Sequence, residues 1–259
     1  RRVLFRSPAP NAASTILAAA QAGALQEVAV QQVLSTLRSM QWVEDDNMKG
    51  CMRWYWEEDR PYDTNASFFT GLSLIVLRKQ FYDRLEMENR HVLDKILEGL
   101  DMWFEHAVDR ATYHYPNKYL GDLVCKWLLL EITNSVQTGG EFVGHHMRQA
   151  AATWQEHGWG WGEHLSDIYA SVCLSELGVL LLLAESLPAD IRAQYRELAA
   201  ELLAIEDAFD AGPRVPALRS YAFEAAPSHQ NYRDNVQPST PEPQNIKNMP
   251  NLGPLLHEL

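Results

Sequence analysis

Apolar residues recur at intervals of three and four in four segments of the chain, with polar residues between them. This spacing places the apolar side chains on one face of a helix, which is typical of a helix packed on one side and wet on the other. The pattern therefore predicts four outer helices. Their apolar positions include Val30, Val33, Leu34 and Leu37, then residues from 92 to 107, then Val143, Met147, Ala150 and Trp154, and finally residues from 191 to 209.

Three further segments, 68–77, 120–132 and 168–184, are apolar on nearly every side. A helix with this composition is covered all round by other elements. Outer and inner helices therefore alternate along the chain. This order predicts antiparallel helical hairpins arranged around a common centre.

A polar and aromatic run precedes each inner helix, at 62–66, 115–119 and 159–164. Asn65, Asn117 and Glu163 mark the repeat, with intervals of 52 and 46 residues. Helix pairs with such a period form either an α-solenoid or a closed α/α toroid. Because solenoid helices are usually amphipathic in both members of a pair, the apolar inner helices favour the toroid. About three and a half hairpins are visible, so we expect an incomplete all-α toroid.

Composition divides the 259-residue chain into three parts. Residues 1–7 resemble a translated sequencing adapter, and 1–11 are expected to be non-native or disordered. Residues 12–212 form the predicted toroid domain. Residues 213–259 hold eight of the 13 prolines, which predicts a Pro-rich irregular tail, either a linker or the start of a truncated segment. We therefore expect a fragment whose partners include the missing remainder of its own chain.

The location of the protein depends on that missing part. A lost signal peptide would make it periplasmic or secreted, and otherwise it would be cytoplasmic. No apolar stretch approaches the roughly 20 residues of a membrane span, so no membrane is expected as a partner.

Charge and motifs exclude several classes of function. The formal net charge of -12 argues against a nucleic-acid partner, because phosphate backbones require a basic surface. The adjacent His145 and His146 point apart on a helix, so no metal site is predicted. Phosphate loops, nucleophile elbows and dinucleotide fingerprints are absent, and no cofactor is expected. The three cysteines, widely spaced and odd in number, are expected to be buried small hydrophobic residues.

The third run is the richest in chemistry. Trp159 and Trp161 offer flat faces for sugar rings, and the neighbouring glycines let the backbone turn. Glu163 and His164 are candidate proton-transfer groups, and the hydroxyl of Tyr169 lies within reach of the same mouth of the toroid. The alternative is structural: Glu163 or Ser166 caps the helix, the tryptophans pack on the rim, and the tyrosine belongs to the core.

The first two runs add amides and a cation. Asn65 is a helix cap, a glycosylation acceptor or a substrate ligand, and Asn117 stands at the matching position of the next repeat. Lys118 and Tyr119 follow it as candidate substrate-binding residues. Trp54 and Trp56, before an acidic stretch, form either a carbohydrate platform or a loop that packs aromatic rings under a solvated face.

At these residues the chain resembles α/α-toroid carbohydrate-active proteins, in particular heparinase II/III-like polysaccharide lyases. The resemblance covers roughly residues 54–187. It rests on the asparagine before the first inner helix, on Asn-x-Tyr at 117–119, and on the Gly/Trp-rich stretch with Glu163, Ser166 and Tyr169.

The resemblance implies β-elimination of a uronate polysaccharide. In such lyases an amide or cation neutralises the C5 carboxylate, and a tyrosine or histidine removes the C5 proton and protonates the leaving oxygen. Asn65 and Asn117 would neutralise, and Tyr169 or His164 would transfer the proton. No arginine closely follows the third run, and the net acidity fits a polyanionic substrate less well.

Two other classes of function remain open from the residues. A six-hairpin glycoside hydrolase would use Glu163 as acid with Glu57, Asp63 or Asp122 as partner. A non-catalytic helical-repeat or sugar-binding module would use the same residues as caps and rim packing.

Overall fold

The computed structural model describes residues 8–44, 47–157 and 167–210. Within these ranges the chain forms eight α-helices and no β-strand, which confirms the all-α class. The helices are α1 (Ala9–Gln21), α2 (Val30–Met40), α3 (Asn65–Phe81), α4 (Met87–Asp109), α5 (Pro116–Ile132), α6 (Val136–Glu156), α7 (Asp167–Leu183) and α8 (Ala189–Asp210).

The three segments that are apolar all round are α3, α5 and α7, and they contact one another. In α5, fourteen of seventeen residues are buried, including the polar Asn117, Asp122 and Lys126. In α4, by contrast, only ten of 23 residues are buried, and they lie along one stripe. The predicted difference between inner and outer helices is therefore confirmed for these elements.

Helix α1 was not predicted, and it completes a fourth hairpin. It packs closely against α3 and also contacts α2, while α2 contacts α4. Its buried face consists mainly of alanine together with Ile16 and Leu17, so the sequence shows only a weak apolar stripe there. Because α1 begins at Ala9, the helical part of the chain starts at 9 and not at 12. This corrects the predicted extent of the disordered N-terminus.

Helices α3 and α5 begin at residues 65 and 116, so 51 residues separate their starts. The first two runs of the repeat therefore lie at equivalent places in the fold. Asn65 is the first residue of α3, and Asn117 is the second residue of α5. This spacing brings matching positions of α3 and α5 to one end of the helix layer.

At the opposite end, Glu131 ties the inner helices together. Its Oε2 accepts a hydrogen bond from Lys79 Nζ of α3 at 2.7 Å, and its Oε1 accepts bonds from the Ser186 amide and hydroxyl after α7, at 2.7 and 2.6 Å. The Glu131 and Lys79 side chains are only 7% and 12% exposed. Burial acts to raise the pKa of Glu131, but the bonds from Lys79 and Ser186 outweigh it and lower the pKa from 4.5.

We expect the Glu131→Gln substitution to lower the free energy of unfolding by about 2–3 kcal/mol at neutral pH, because it removes a charged hydrogen-bond acceptor from four donors: Lys79 Nζ, the amide and hydroxyl of Ser186, and Trp127 Nε1. A carboxylate with a lowered pKa stabilises the fold above its unfolded-state pKa, and this contribution disappears as the pH falls through the folded-state pKa. The difference between wild type and variant should therefore shrink below pH 4.5. Urea denaturation of wild type and variant, at neutral pH and again below pH 4.5, measures this difference in the free energy of unfolding.

Glu98→Gln is the matched control, because Glu98 pairs with Lys95 on the surface, where both side chains are about half exposed. Exposed pairs contribute little, so we expect a change below about 1 kcal/mol at either pH. Equal effects of the two substitutions would contradict the role given to Glu131.

Candidate functional site

A depression of about 300 Å³ lies where the N-terminal ends of α3, α5 and α7 meet. It contains five residues that the sequence nominated: Asn65, Asn117, Lys118, Tyr169 and, as a possible partner of Glu163, Asp63. The other lining residues are Tyr62, Thr64 and Tyr115. Residues about 50 positions apart in the sequence thus form one concave surface.

Helix N-termini give this surface its electrostatic character. The first turns of α3 and α5 present backbone N–H groups that have no partner inside the helix, and the positive end of each helix dipole favours an anion. At α3, Asp63 Oδ1 accepts the backbone N–H of Asn65 at 2.9 Å. Thr64 is the N-cap residue of α3, so the interpretation of Asn65 as the helix cap is wrong, and Asp63 satisfies the first backbone N–H of the helix.

The two asparagine side chains are available to a ligand. The Asn65 amide is partly exposed, whereas Asn117 is only 5% exposed and still lines the depression. Neither side-chain amide makes a hydrogen bond with the described part of the chain. Each amide can therefore donate hydrogen bonds from its NH2 group to a carboxylate or hydroxyl oxygen of a ligand.

Lys118 supplies a cation at the base of the depression. Its Nζ donates a hydrogen bond to Asp122 Oδ2, one helical turn further along α5, at 2.5 Å. The Asp122 side chain is completely buried, whereas that of Lys118 is 19% exposed. The ion pair therefore holds the ammonium group between the depression and the core.

A second carboxylate, Glu176 of α7, is buried in the same part of the core. Asp122 Oδ1, both Glu176 carboxylate oxygens and Thr70 Oγ1 have no hydrogen-bond partner among the described residues. Burial raises the pKa of Asp122, against the opposing charge of Lys118. Burial and the negative charge of Asp122 raise the pKa of Glu176 well above its usual range.

Gly121 of α5 allows α3 and α7 to approach α5 closely. A Cβ atom at this position would lie 2.6 Å from the Phe68 ring of α3 and 2.8 Å from Glu176 Oε1 of α7. Any larger residue would push α5 away from both neighbours or displace the Glu176 carboxylate. The hydrogen atom of glycine is therefore a condition for burying this acid against α5.

Two tyrosines on the rim were not predicted as site residues. Tyr62 is 62% exposed, and its hydroxyl donates to Asp59 Oδ1 at 2.6 Å. Tyr115 is 39% exposed and also lines the depression. Exposed aromatic rings beside polar groups are suited to stacking on sugar rings. Their positions in the sequence could have identified them, because each is the first residue of one of the first two polar and aromatic runs.

Three of the predicted substrate-binding residues lie outside the depression. Tyr119 is fully buried, and its hydroxyl bonds to the Val108 carbonyl and to His146 Nδ1, both at 2.9 Å. Trp54 is partly buried with its ring 5.8 Å from that of Phe69, and Trp56 is 50% exposed. Tyr119 is a core residue and does not reach the concave surface.

The remaining candidates, Trp159, Trp161, Glu163 and His164, lie outside the described residues. Among the proposed partners of Glu163, Asp63 lines the depression, Asp122 lies beneath it, and Glu57 is exposed elsewhere. In the described ranges, no group of three or more His, Cys, Asp or Glu residues is arranged to hold a metal ion. No helix within those ranges has the length and apolarity needed to cross a membrane.

Comparison of the chain with protein-family models, with curated proteins and with solved structures finds no match.

We expect Gly121→Ala to lower the free energy of unfolding by about 1–3 kcal/mol, because the added methyl group overpacks the contact among α3, α5 and α7. Gly139→Ala in α6 is the control, since its Cβ would meet only the flexible end of Leu130, at 2.8 Å. Alanine also favours the helix there, so a change within about 1 kcal/mol is expected. Thermal unfolding of both variants measures the difference, and equal stabilities would contradict the close packing at Gly121.

Proposed function

We propose that the depression binds an acidic sugar of a uronate polysaccharide and that the chain belongs to a polysaccharide lyase that acts by β-elimination. The proposal is carried by one observation: Asn65, Asn117, Lys118 and Tyr169 line the same concave surface at three helix N-termini. Under this proposal the helical hairpins are part of an α/α toroid that further hairpins would close.

The two amides and the lysine suit a sugar carboxylate. The N–H groups of Asn65 and Asn117 would donate to its oxygens, and the Lys118 ammonium would offset its charge. Neutralising the carboxylate at C5 lowers the pKa of the C5–H bond, because the negative charge that develops after proton loss is delocalised onto that group. This is the principal barrier to β-elimination from a uronate.

Tyr169 is the proposed proton-transfer group, with His164 as the alternative. The phenolate form of the tyrosine would remove the C5 proton, a C4–C5 double bond would form, and the bond from C4 to the glycosidic oxygen would break. The same hydroxyl would then protonate the departing oxygen. Proton and electrons balance without a cofactor, and the new chain end carries an unsaturated uronate.

Size and rim chemistry agree with a saccharide ligand. A volume of about 300 Å³ is at the lower end of the range for small-molecule sites, so the depression accommodates a short segment of a glycan. Tyr62 and Tyr115 would stack on rings on either side of the bound uronate.

A glycoside hydrolase is the second candidate, because Asp63 also lines the depression. Its carboxylate would need to act with Glu163 as the second member of a pair. However, Asp63 Oδ1 is already engaged with the backbone of Asn65, and the two amides have no evident task in hydrolysis. A non-catalytic sugar-binding module is the third candidate. It requires that the depression bind the sugar but not that Tyr169 transfer a proton.

Lyase activity is tested by the ultraviolet absorbance of unsaturated uronate ends during incubation with pectate, alginate and hyaluronate. We expect one of these substrates to give a rise, and Tyr169→Phe to reduce the rate by about 100-fold or more, since it removes the acid–base group. Tyr55→Phe is the control, because Tyr55 is 45% exposed and does not line the depression. A flat trace from folded protein on all three substrates contradicts the lyase proposal.

Charge recognition is tested by Asn117→Asp, which places a negative charge where the sugar carboxylate should bind. We expect affinity for a uronate oligosaccharide to fall about tenfold or more, which corresponds to about 1.4 kcal/mol, while a neutral glucan oligosaccharide shows no comparable loss. Asn134→Asp changes the net charge equally at an exposed turn between α5 and α6 and should have no effect. Calorimetric titration measures both, and equal losses would contradict carboxylate recognition at Asn117.

A further inference from the structure

We propose that Asp122 and Glu176 form a proton-accepting pair beneath the depression, so that an acidic ligand binds at Lys118 together with a proton from solution. The inference rests on the proposed function, because it concerns how the same site accepts a uronate carboxylate. Ligand binding would therefore depend on pH in a defined way, with Asp122 and Glu176 as the groups that take up the proton.

Asp122 and Glu176 are both buried in the core beneath the depression. Both side chains are completely buried, on α5 and on the adjoining α7, and three of their four carboxylate oxygens have no partner among the described residues. The remaining oxygen accepts the hydrogen bond from Lys118. A buried carboxylate without donors is costly when ionised, because no water or N–H group compensates for its lost hydration.

Several titratable and charged groups act on this pair from the elements around it. Lys118 lowers the pKa of both carboxyl groups, Arg110 after α4 lowers that of Asp122, and Asp122 raises that of Glu176. The neighbouring thiols of Cys51 and Cys125 are themselves kept neutral by burial. Helix α3 contributes the hydroxyl groups of Ser67, Thr70 and Ser73 to the buried polar residues. Outside this group, His146 of α6 bonds to the buried Tyr119 hydroxyl.

Under this proposal the two carboxyl groups of the free protein hold one proton between them. Their remaining negative charge and the Lys118 ammonium then sum to zero, which is the arrangement that a low-dielectric core favours. A ligand carboxylate at Lys118 adds one negative charge and weakens the attraction that keeps Asp122 ionised. Transfer of one proton from solvent to an oxygen of the pair restores neutrality, and no other bond is made or broken.

The experiment is calorimetric titration of the chain with a galacturonate oligosaccharide in two buffers of different protonation enthalpy. We expect uptake of about one proton per bound ligand near neutral pH, with affinity falling about tenfold for each unit of rising pH. Alginate and hyaluronate oligosaccharides replace the probe if galacturonate does not bind. A neutral glucan oligosaccharide should show no proton uptake.

The double substitution Asp122→Asn with Glu176→Gln preserves shape and removes both proton-accepting groups. We expect ligand-linked proton uptake to fall close to zero in this variant. The matched control is Asp101→Asn with Glu105→Gln, which removes the two carboxylates of α4 that pair with Lys126, one turn further along α5 than Asp122. It makes the same change in charge and should leave proton uptake intact.

Infrared spectroscopy of the wild-type protein keeps the test independent of variant folding. A protonated carboxyl group should absorb in the C=O stretching region at neutral pH, and the ligand should increase this absorbance. Uronate binding without proton uptake, or uptake that persists in the double variant, overturns this inference and leaves the proposed function standing. Absence of binding by every uronate probe overturns both.

Discussion

The contact between α5 and its neighbours is the constraint on which the rest of the structure depends. Helix α5 packs against α3, α4, α6 and α7, so nearly every position along it faces protein. A helix in this situation needs small residues where neighbours approach most closely, and Gly121 meets that need. Once α5 is enclosed, the starts of α3 and α7 are brought beside its own N-terminus, and the depression is the surface that remains between them.

Because α5 is enclosed on all sides, ionisable residues on α5 and on the adjoining α7 are buried in the core, which is unusual. A fully apolar α5 and α7 would pack at least as well and would avoid the cost of burying ionisable groups. The chain instead places Asp122 and Glu176 inside, and Lys118, which lines the depression, donates a hydrogen bond to Asp122. By contrast, Glu131 lies at the far end of the inner helices, where it pairs with Lys79 and accepts further hydrogen bonds from Ser186, as expected of a structural network. The two buried groups thus differ in hydrogen bonding: the Glu131 carboxylate has several donors, whereas three of the four Asp122 and Glu176 oxygens have none among the described residues.

The sequence was sufficient for the inner helices and for part of the site. All-round apolar composition identified α3, α5 and α7, and the recurring asparagines led to residues that do share one surface. The sequence pattern did not predict helix α1, because its buried face is mostly alanine. Alanine gives a weak periodic signal, although it allows close packing against α3. Tyr119 was misleading because successive helical residues point about 100° apart, so its neighbour Lys118 lines the depression while Tyr119 enters the core. Glu176 could not be found from a local pattern, since its burial depends on the glycine of another helix.

The most direct test of the account is the crystal structure of the chain in complex with a uronate oligosaccharide that it binds in solution. The account predicts a sugar carboxylate within hydrogen-bond distance of Lys118 Nζ and of the Asn65 or Asn117 amide, with Tyr169 facing C5 of the same ring. A saccharide bound elsewhere, or bound in the depression with its carboxylate directed away from these groups, would contradict the central claim.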